Sequence, residues 1–249
     1  MPWVAQENAS FPVRSANANK NAMMIASVLS AHGWSPLSAA AVLGNIQHEG
    51  LMNPWYWEGG LVTPEATPTV AEAEAWPDAE KQSMHGYGFF QYTPYDKYVN
   101  SANSSLSGYA PHFRDVQGNA SDGKAQILFM LSDMMTSNWG DGQYTYYRQE
   151  FLDVNNKDIS VFVNQTQQDF IAGNAVGADD YEKIENLTGT FELQYEAPGA
   201  QAAANTYYLR VYDAQYYYDL IKDAFPWAGS SGFNIYMYLK PNWKRRRFA

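Results

Sequence analysis

The chain contains no cysteine, which excludes disulfide bonds, thiolate nucleophiles and cysteine-based zinc sites. Its histidines, His32, His48, His85 and His112, stand far apart without the spacing of metal ligands, so no metal and no cofactor is expected. No apolar run approaches the roughly 20 residues that a membrane span requires. The first residues also lack the cationic, apolar and small-residue succession of a signal peptide, and a soluble chain without an export signal of its own is expected. Charge is sparse as well. Only 17% of residues are Asp, Glu, Lys or Arg, and the 26 acids against 16 bases leave a net charge of -10. Such a field repels phosphate backbones and excludes nucleic acid as an expected partner. The one basic run, Lys244 to Arg247, lies at the C-terminal end.

Aromatic residues are abundant instead, with 19 Tyr, 12 Phe and 8 Trp. Rings can stack against sugars, but their commonest use is core and interface packing. A chain of 249 residues can bury a substantial core in one large domain or two small ones. Residues 1–18 lack periodicity and are rich in Asn, Ser and Ala, which predicts an extended arm. A helix is predicted over 19–31, where Met23, Met24, Ile25, Val28 and Leu29 share helical spacing and Gly33 stands where a left-handed cap belongs. Ser35 and Pro36 form an N-cap and a first helical residue. After them Ala39, Val42, Leu43 and Ile46 predict a largely buried helix ending near Gly50, with Asn53-Pro54 blocking its continuation. Residues 55–85 read as a long loop or irregular lobe. Gly86 to Tyr92 reads as a short strand or hairpin arm ending at Thr93-Pro94. Further helices are predicted near 122–136, 158–172, 179–193 and 199–223, with caps from Ser121, Asp158 and Pro198-Gly199. The body thus runs over 19–224. Residues 225–249 form an appendage whose Phe233, Ile235, Tyr236, Met237, Tyr238, Leu239 and Trp243 suit either docking or packing on the body.

Two separated pieces carry chemistry: Gly44-Asn-Ile-Gln-His-Glu49-Gly-Leu-Met-Asn53-Pro54 and Gly86-Tyr87-Gly88-Phe-Phe-Gln91-Tyr-Thr-Pro94. A carboxyl at the C-terminal end of a buried helix lies against apolar walls and near the negative end of the helix dipole, and both favour its protonated form. A protonated carboxyl in a cleft is what glycosidic cleavage needs, because the leaving oxygen must take up a proton. Gly86 and Gly88 allow close approach of a sugar to the backbone, and Gln91 can donate to and accept from substrate hydroxyl and N-acetyl groups. Taken singly, Glu49 reads as a solvated helix end, Gln91 as an exposed strand residue and the glycines as a turn; their combination reverses that. His48 reads as a packed or hydrogen-bonded histidine rather than a base, and Glu65, Glu72, Glu74, Asp78 and Glu80 as a solvated loop.

At these residues the sequence resembles the phage tail-tip lysozyme family and, more distantly, goose-type lysozymes and lytic transglycosylases. Those enzymes join a catalytic Glu at a helix end to a Gly-aromatic-Gly-x-x-Gln segment. Phe191-Glu-Leu-Gln-Tyr195-Glu196-Ala-Pro198 and Arg210-Val-Tyr-Asp-Ala are similar to the family's closing segments, so the resemblance covers roughly residues 20–223. It implies a mainly α, α+β lysozyme-like fold, a helical bundle with a small β-hairpin beside the active-site cleft. It further implies peptidoglycan as substrate, Glu49 as general acid, and Gly86, Tyr87, Gly88 and Gln91 as substrate-binding residues. The implied setting is a virion, at the phage tail tip among other tail proteins, acting at the host cell wall.

Three positions depart from the pattern. Gly50 stands where Ser is usual, and Gly86 and Thr93 stand where animal lysozymes place a second carboxylate. That partner is unassigned, with Asp78, Glu80 and Asp96 the nearest candidates in sequence, and without one the substrate's own acetamido group could attack to give an anhydro product. Two alternatives stand beside cleavage during cell-wall penetration. One is a non-catalytic structural tail protein on a lysozyme scaffold. The other is a free endolysin, though no repeated wall-binding module is visible.

Overall fold

The computed structural model describes residues 2–5, 15–56, 75, 86–91, 123–136, 139, 162, 165–196 and 200–227, with backbone alone at 136 and 200–205. In chain order its helices are α1 (Ala16–Ala31), α2 (Pro36–Glu49), a short 3-10 turn (Gly88–Phe90), α3 (Gly123–Thr136), α4 (Gln167–Ala172), α5 (Asp180–Phe191), a π-helical extension (Glu192–Glu196) and α6 (Ala200–Ile221). The protein is mainly helical, as expected.

Local chemistry sets the starts of these helices. Ser15 Oγ accepts from Ala18 N at 3.0 Å, so α1 begins at Ala16, ahead of its apolar stripe. Ser35 Oγ accepts from Ser38 N at 3.1 Å, and Pro36 supplies the first residue of α2. Asp179 caps α5 through Glu182 N at 2.9 Å. The helix expected over 158–172 does not run through: Gln165 and Thr166 are non-helical, and Thr166 caps the short α4.

α2 is the central element. Its residues Ser38 to Ile46 are buried without interruption, as the core of a helical bundle requires. α1, α5 and α6 surround it. It crosses α6 closely: a Cβ on Gly44 would lie 2.7 Å from Ala214 Cβ and would collide with the Arg210 carbonyl. Only glycine lets the two backbones come so near. Core residues include Ile25, Leu29, Trp34, Leu43, Ile46, Phe89, Phe170, Phe191 and Tyr217. Aromatic rings pack against one another in this core: the Phe191 ring lies 5.7 Å from that of Phe170 and 5.0 Å from that of Tyr195.

Both ends of the described chain lie on this body. Trp3 meets Phe89 at 5.6 Å between ring centroids, and Val4 exchanges hydrogen bonds with the buried Asn21 at 3.0 and 2.6 Å. Trp227 is 3% exposed and donates to Ile221 O at 3.1 Å.

The segment expected to be a strand is not one. Among the described residues there is no strand: Tyr87 makes an isolated bridge, residues 88–90 turn as a 3-10 helix, and Gln91 adopts a left-handed conformation. A buried glutamine from α3 explains the turn. Gln126 Oε1 accepts from Phe89 N at 2.9 Å while its Nε2 donates to Pro54 O at 2.6 Å, so these backbone groups bond to a side chain rather than to a neighbouring strand. The far side of the expected hairpin, from Tyr92 through Thr93-Pro94, lies outside the described residues.

Candidate active site

Glu49 is the last residue of α2, with Gly50 as its C-cap. The chain then leaves the helix through Leu51 and Met52, both left-handed with φ 52° and 57°, a conformation that costs non-glycine residues on the order of 1 kcal/mol or more each. Asn21 ties this bend down by donating to Met52 O at 2.8 Å. Asn53 finishes it, its Oδ1 accepting from Trp55 N at 3.0 Å.

The two sequence pieces meet here. A Cβ on Gly50 would sit 2.6 Å from Phe89 Cα and would collide with Gly88 O, so the end of α2 abuts the 86–91 segment directly. The departure from serine at position 50 thereby has a physical reason, since no side chain fits between the two backbones. Gly88 itself has φ +77°, and a Cβ there would collide with Gln126 Oε1.

The other residues of that segment serve its shape. Gly86 is buried, and a Cβ on it would lie 2.8 Å from Gln91 Oε1. Tyr87 is fully buried, so its ring packs inside and does not line a surface. The Gln91 amide nitrogen donates to Tyr56 O at 3.2 Å and to Gly88 O at 2.9 Å. Both of its N–H groups are thus engaged with the backbone, where the sequence reading gave them to a sugar. Asp78, Glu80 and Asp96, the candidates for a second carboxylate, lie outside the described residues.

The surroundings of Glu49 also differ from the apolar walls expected. Its carboxyl, about one-fifth exposed, pairs with the Arg210 guanidinium. Arg210 is itself buried on α6 and makes three further contacts: Nη1 donates to Asn45 Oδ1 at 3.0 Å, Nε donates to Thr206 Oγ1 at 3.1 Å, and Nε stands 3.1 Å from Glu192 Oε1. The Glu192 contact is an ion pair without hydrogen-bond alignment, because neither carboxyl oxygen of that residue has a hydrogen-bond partner among the described residues. Glu192 is completely buried. Burial pushes its carboxyl up to about 8, against the pull of Arg210 and with the help of Glu49. Burial works against the Arg210 charge, yet Glu192 and then Glu49 outweigh it and hold the guanidinium charged.

His48 is hydrogen-bonded, with Nε2 3.0 Å from Asp213 Oδ2 on α6, and Tyr217 OH donates to Gln47 Oε1 at 2.6 Å. Successive residues of α2 are thus tied to α6. No group of three His, Asp or Glu suited to a metal occurs among the described residues, and no described helix is long and apolar enough to cross a membrane.

A family model described as phage tail lysozyme matches residues 20–221. The chain belongs to the phage tail lysozyme family. Both Glu49 and Arg210 fall within the matched region, as do Glu192 and the 86–91 segment. Sequence reasoning had noticed the segments holding Arg210 and Glu192 as similar to the family's closing pieces, but assigned neither residue to the site. The usable signal was Arg210 as the one basic residue of α6; Glu192 stands among Glu182, Glu185 and Glu196, and no local pattern marks it out.

Proposed function

We propose that this phage tail lysozyme family member cleaves the glycan strands of peptidoglycan during cell-wall penetration, as a virion protein at the tail tip, with Glu49 as general acid. The observation that carries the reading is the junction of Gly50, the residue after Glu49, with the Gly88–Phe89 backbone. A carboxyl that is partly open to solvent stands there at the rim of a rigid turn, on a helix that packing fixes. The glycosidic oxygen would receive its proton from Glu49 as the bond breaks. Gly86, Tyr87 and Gly88 are buried and would shape the turn from within, which leaves the half-buried Gln91 as the residue of that segment able to meet the glycan.

Glu49→Gln removes the titratable group at nearly constant shape. Digestion of purified cell walls should fall by at least two orders of magnitude, and an undiminished rate would end the acid assignment. Mass spectrometry of the products separates hydrolysis from transglycosylation, because reducing and anhydro ends differ by one water.

The Arg210 contact favours a second reading. A carboxylate locked to a guanidinium is no proton donor, so the scaffold could bind glycan within the tail without cutting it. Wall binding by the wild-type protein with no release of soluble fragments would decide for that reading.

A further inference from the structure

Two carboxyl groups converge on one buried cation in this site. Glu49 meets Arg210 from the end of α2, and Glu192 meets it from the π-helical extension with Nε to Oε1 at 3.1 Å. A buried cluster with net charge is costly. One guanidinium with two carboxylates is neutral only when it also holds one proton. We propose that Glu49 and Glu192 share a single proton across Arg210, with Glu192 as the positioning residue that neutralises the guanidinium whenever Glu49 carries the proton as acid.

This rests on the acid role proposed for Glu49 and resolves the difficulty its ion pair raises. With the proton on Glu192, Glu49 is the carboxylate paired to Arg210 and is inactive. With the proton on Glu49, Glu192 takes over the pairing and no uncompensated charge remains. When the glycosidic carbon–oxygen bond breaks, the leaving oxygen keeps the bonding electrons and takes the Glu49 proton, while an oxygen of water or of the substrate itself bonds to the anomeric carbon. The cluster is then one negative charge in excess until a solvent proton enters through Glu49, its exposed member.

Among the described residues, few other charged and titratable groups face the cluster. From α2 there are Glu49 and, beside it, His48, which is held by Asp213 of α6. Arg210 and Tyr207 come from α6, and Glu196 from the π-helical extension also acts on Arg210. Tyr207 is buried, its hydroxyl donating to Glu185 O at 3.2 Å, and burial keeps it protonated. Asn45 and Thr206 hold the guanidinium in place by hydrogen bonds.

The test is the pH dependence of glycan cleavage by the full-length protein. Glu192→Gln removes the alternative counter-charge, leaving Arg210 to hold Glu49 ionised. The descending limb of kcat should move to lower pH by about two units, so that kcat at pH 7 falls about tenfold while KM and the rate at pH 5 change little. Glu192→Asp, which keeps the charge, should retain most of the wild-type limb. A Glu192→Gln limb superimposable on wild type would overturn the proposal. A second measurement does not depend on altering the core. Proton-binding difference titration of Glu49→Gln, changed at a partly exposed site, should show the proton held near pH 8 in the wild type released at least one pH unit lower; release at the same pH would equally overturn it. An active Glu49→Gln enzyme would end the acid role itself, whereas an inactive one with an unmoved Glu192→Gln limb would end only the sharing of the proton.

Discussion

Glu192 makes the stability of the fold fall as pH rises, and Glu192→Gln should abolish that fall. The carboxyl titrates near 4.5 in an unfolded chain and is pushed up to about 8 in the folded protein, chiefly by burial. Between those values the folded state holds a proton that the unfolded state has lost. Stability from this group is therefore fully present below pH 4.5 and is lost as pH rises through about 8. One extra proton bound by the folded state corresponds to about 1.4 kcal/mol per pH unit. Over the whole window the loss has a ceiling of about 5 kcal/mol, a large part of the 5–15 kcal/mol typical of whole domains. Urea unfolding at intervals from pH 4.5 to 8.5, followed by far-UV circular dichroism, would read it as a midpoint drop on the order of 1–2 M. Glutamine keeps the volume and cannot ionise, so the variant should lack this part of the slope and overtake wild type toward pH 8. Groups remote from the Arg210 cluster have the same surroundings in both proteins and cancel in the difference. Parallel wild-type and variant curves across the window would refute the reasoning, because Glu192 would then not be holding a proton in the folded state.

Three further outcomes follow from packing. Gln126→Leu leaves Phe89 N–H and Pro54 C=O without the bonds seen at 2.9 and 2.6 Å; it should destabilise by about 2–4 kcal/mol in urea unfolding and slow glycan cleavage, since the 86–91 turn loses its anchor. Gly88→Ala imposes a left-handed φ of +77° on a residue with a Cβ and drives that carbon into Gln126 Oε1; a loss of about 2 kcal/mol is expected, read by calorimetry as a fall in Tm of roughly 4–8 °C. Removal of residues 228–249 should leave the melting temperature and activity intact but prevent incorporation into phage particles, whereas a chain ending before Phe225 should also lose about 3–5 kcal/mol because Trp227 is 3% exposed in the core. Normal incorporation of the shorter chain would end the docking role of the tail.

The helices were legible in the sequence wherever one residue decides a boundary locally. Ser35, Pro36 and the apolar positions Ala39, Val42, Leu43 and Ile46 specify α2 without outside help, and Gly33 adopts the left-handed conformation, φ +80°, that its position at the end of α1 suggests. The 86–91 segment was misjudged because its aromatic and glycine pattern fits a strand, while its actual shape is imposed by Gln126, distant in sequence, and by the α2 end pressing on Gly88. The position of Glu49 was legible for the same local reasons as α2 itself. Its charge partner was not, since Arg210 lies 161 residues away and no periodicity couples the two.

Close contact between α2 and α6 is what turns a helix-end carboxyl into a candidate acid. Gly44 lets the helices touch, and from there Asn45, His48 and Glu49 are carried past Arg210 and Asp213 at hydrogen-bonding range. The seam also holds a buried guanidinium, and Glu49 meets it from the end of α2. Glu192, a second and wholly buried carboxyl, meets the same cation from the π-helical extension. The proposed acid role of Glu49 thus depends on that second carboxyl, rather than on the greasiness of the helix end, to be compatible with the arginine beside it.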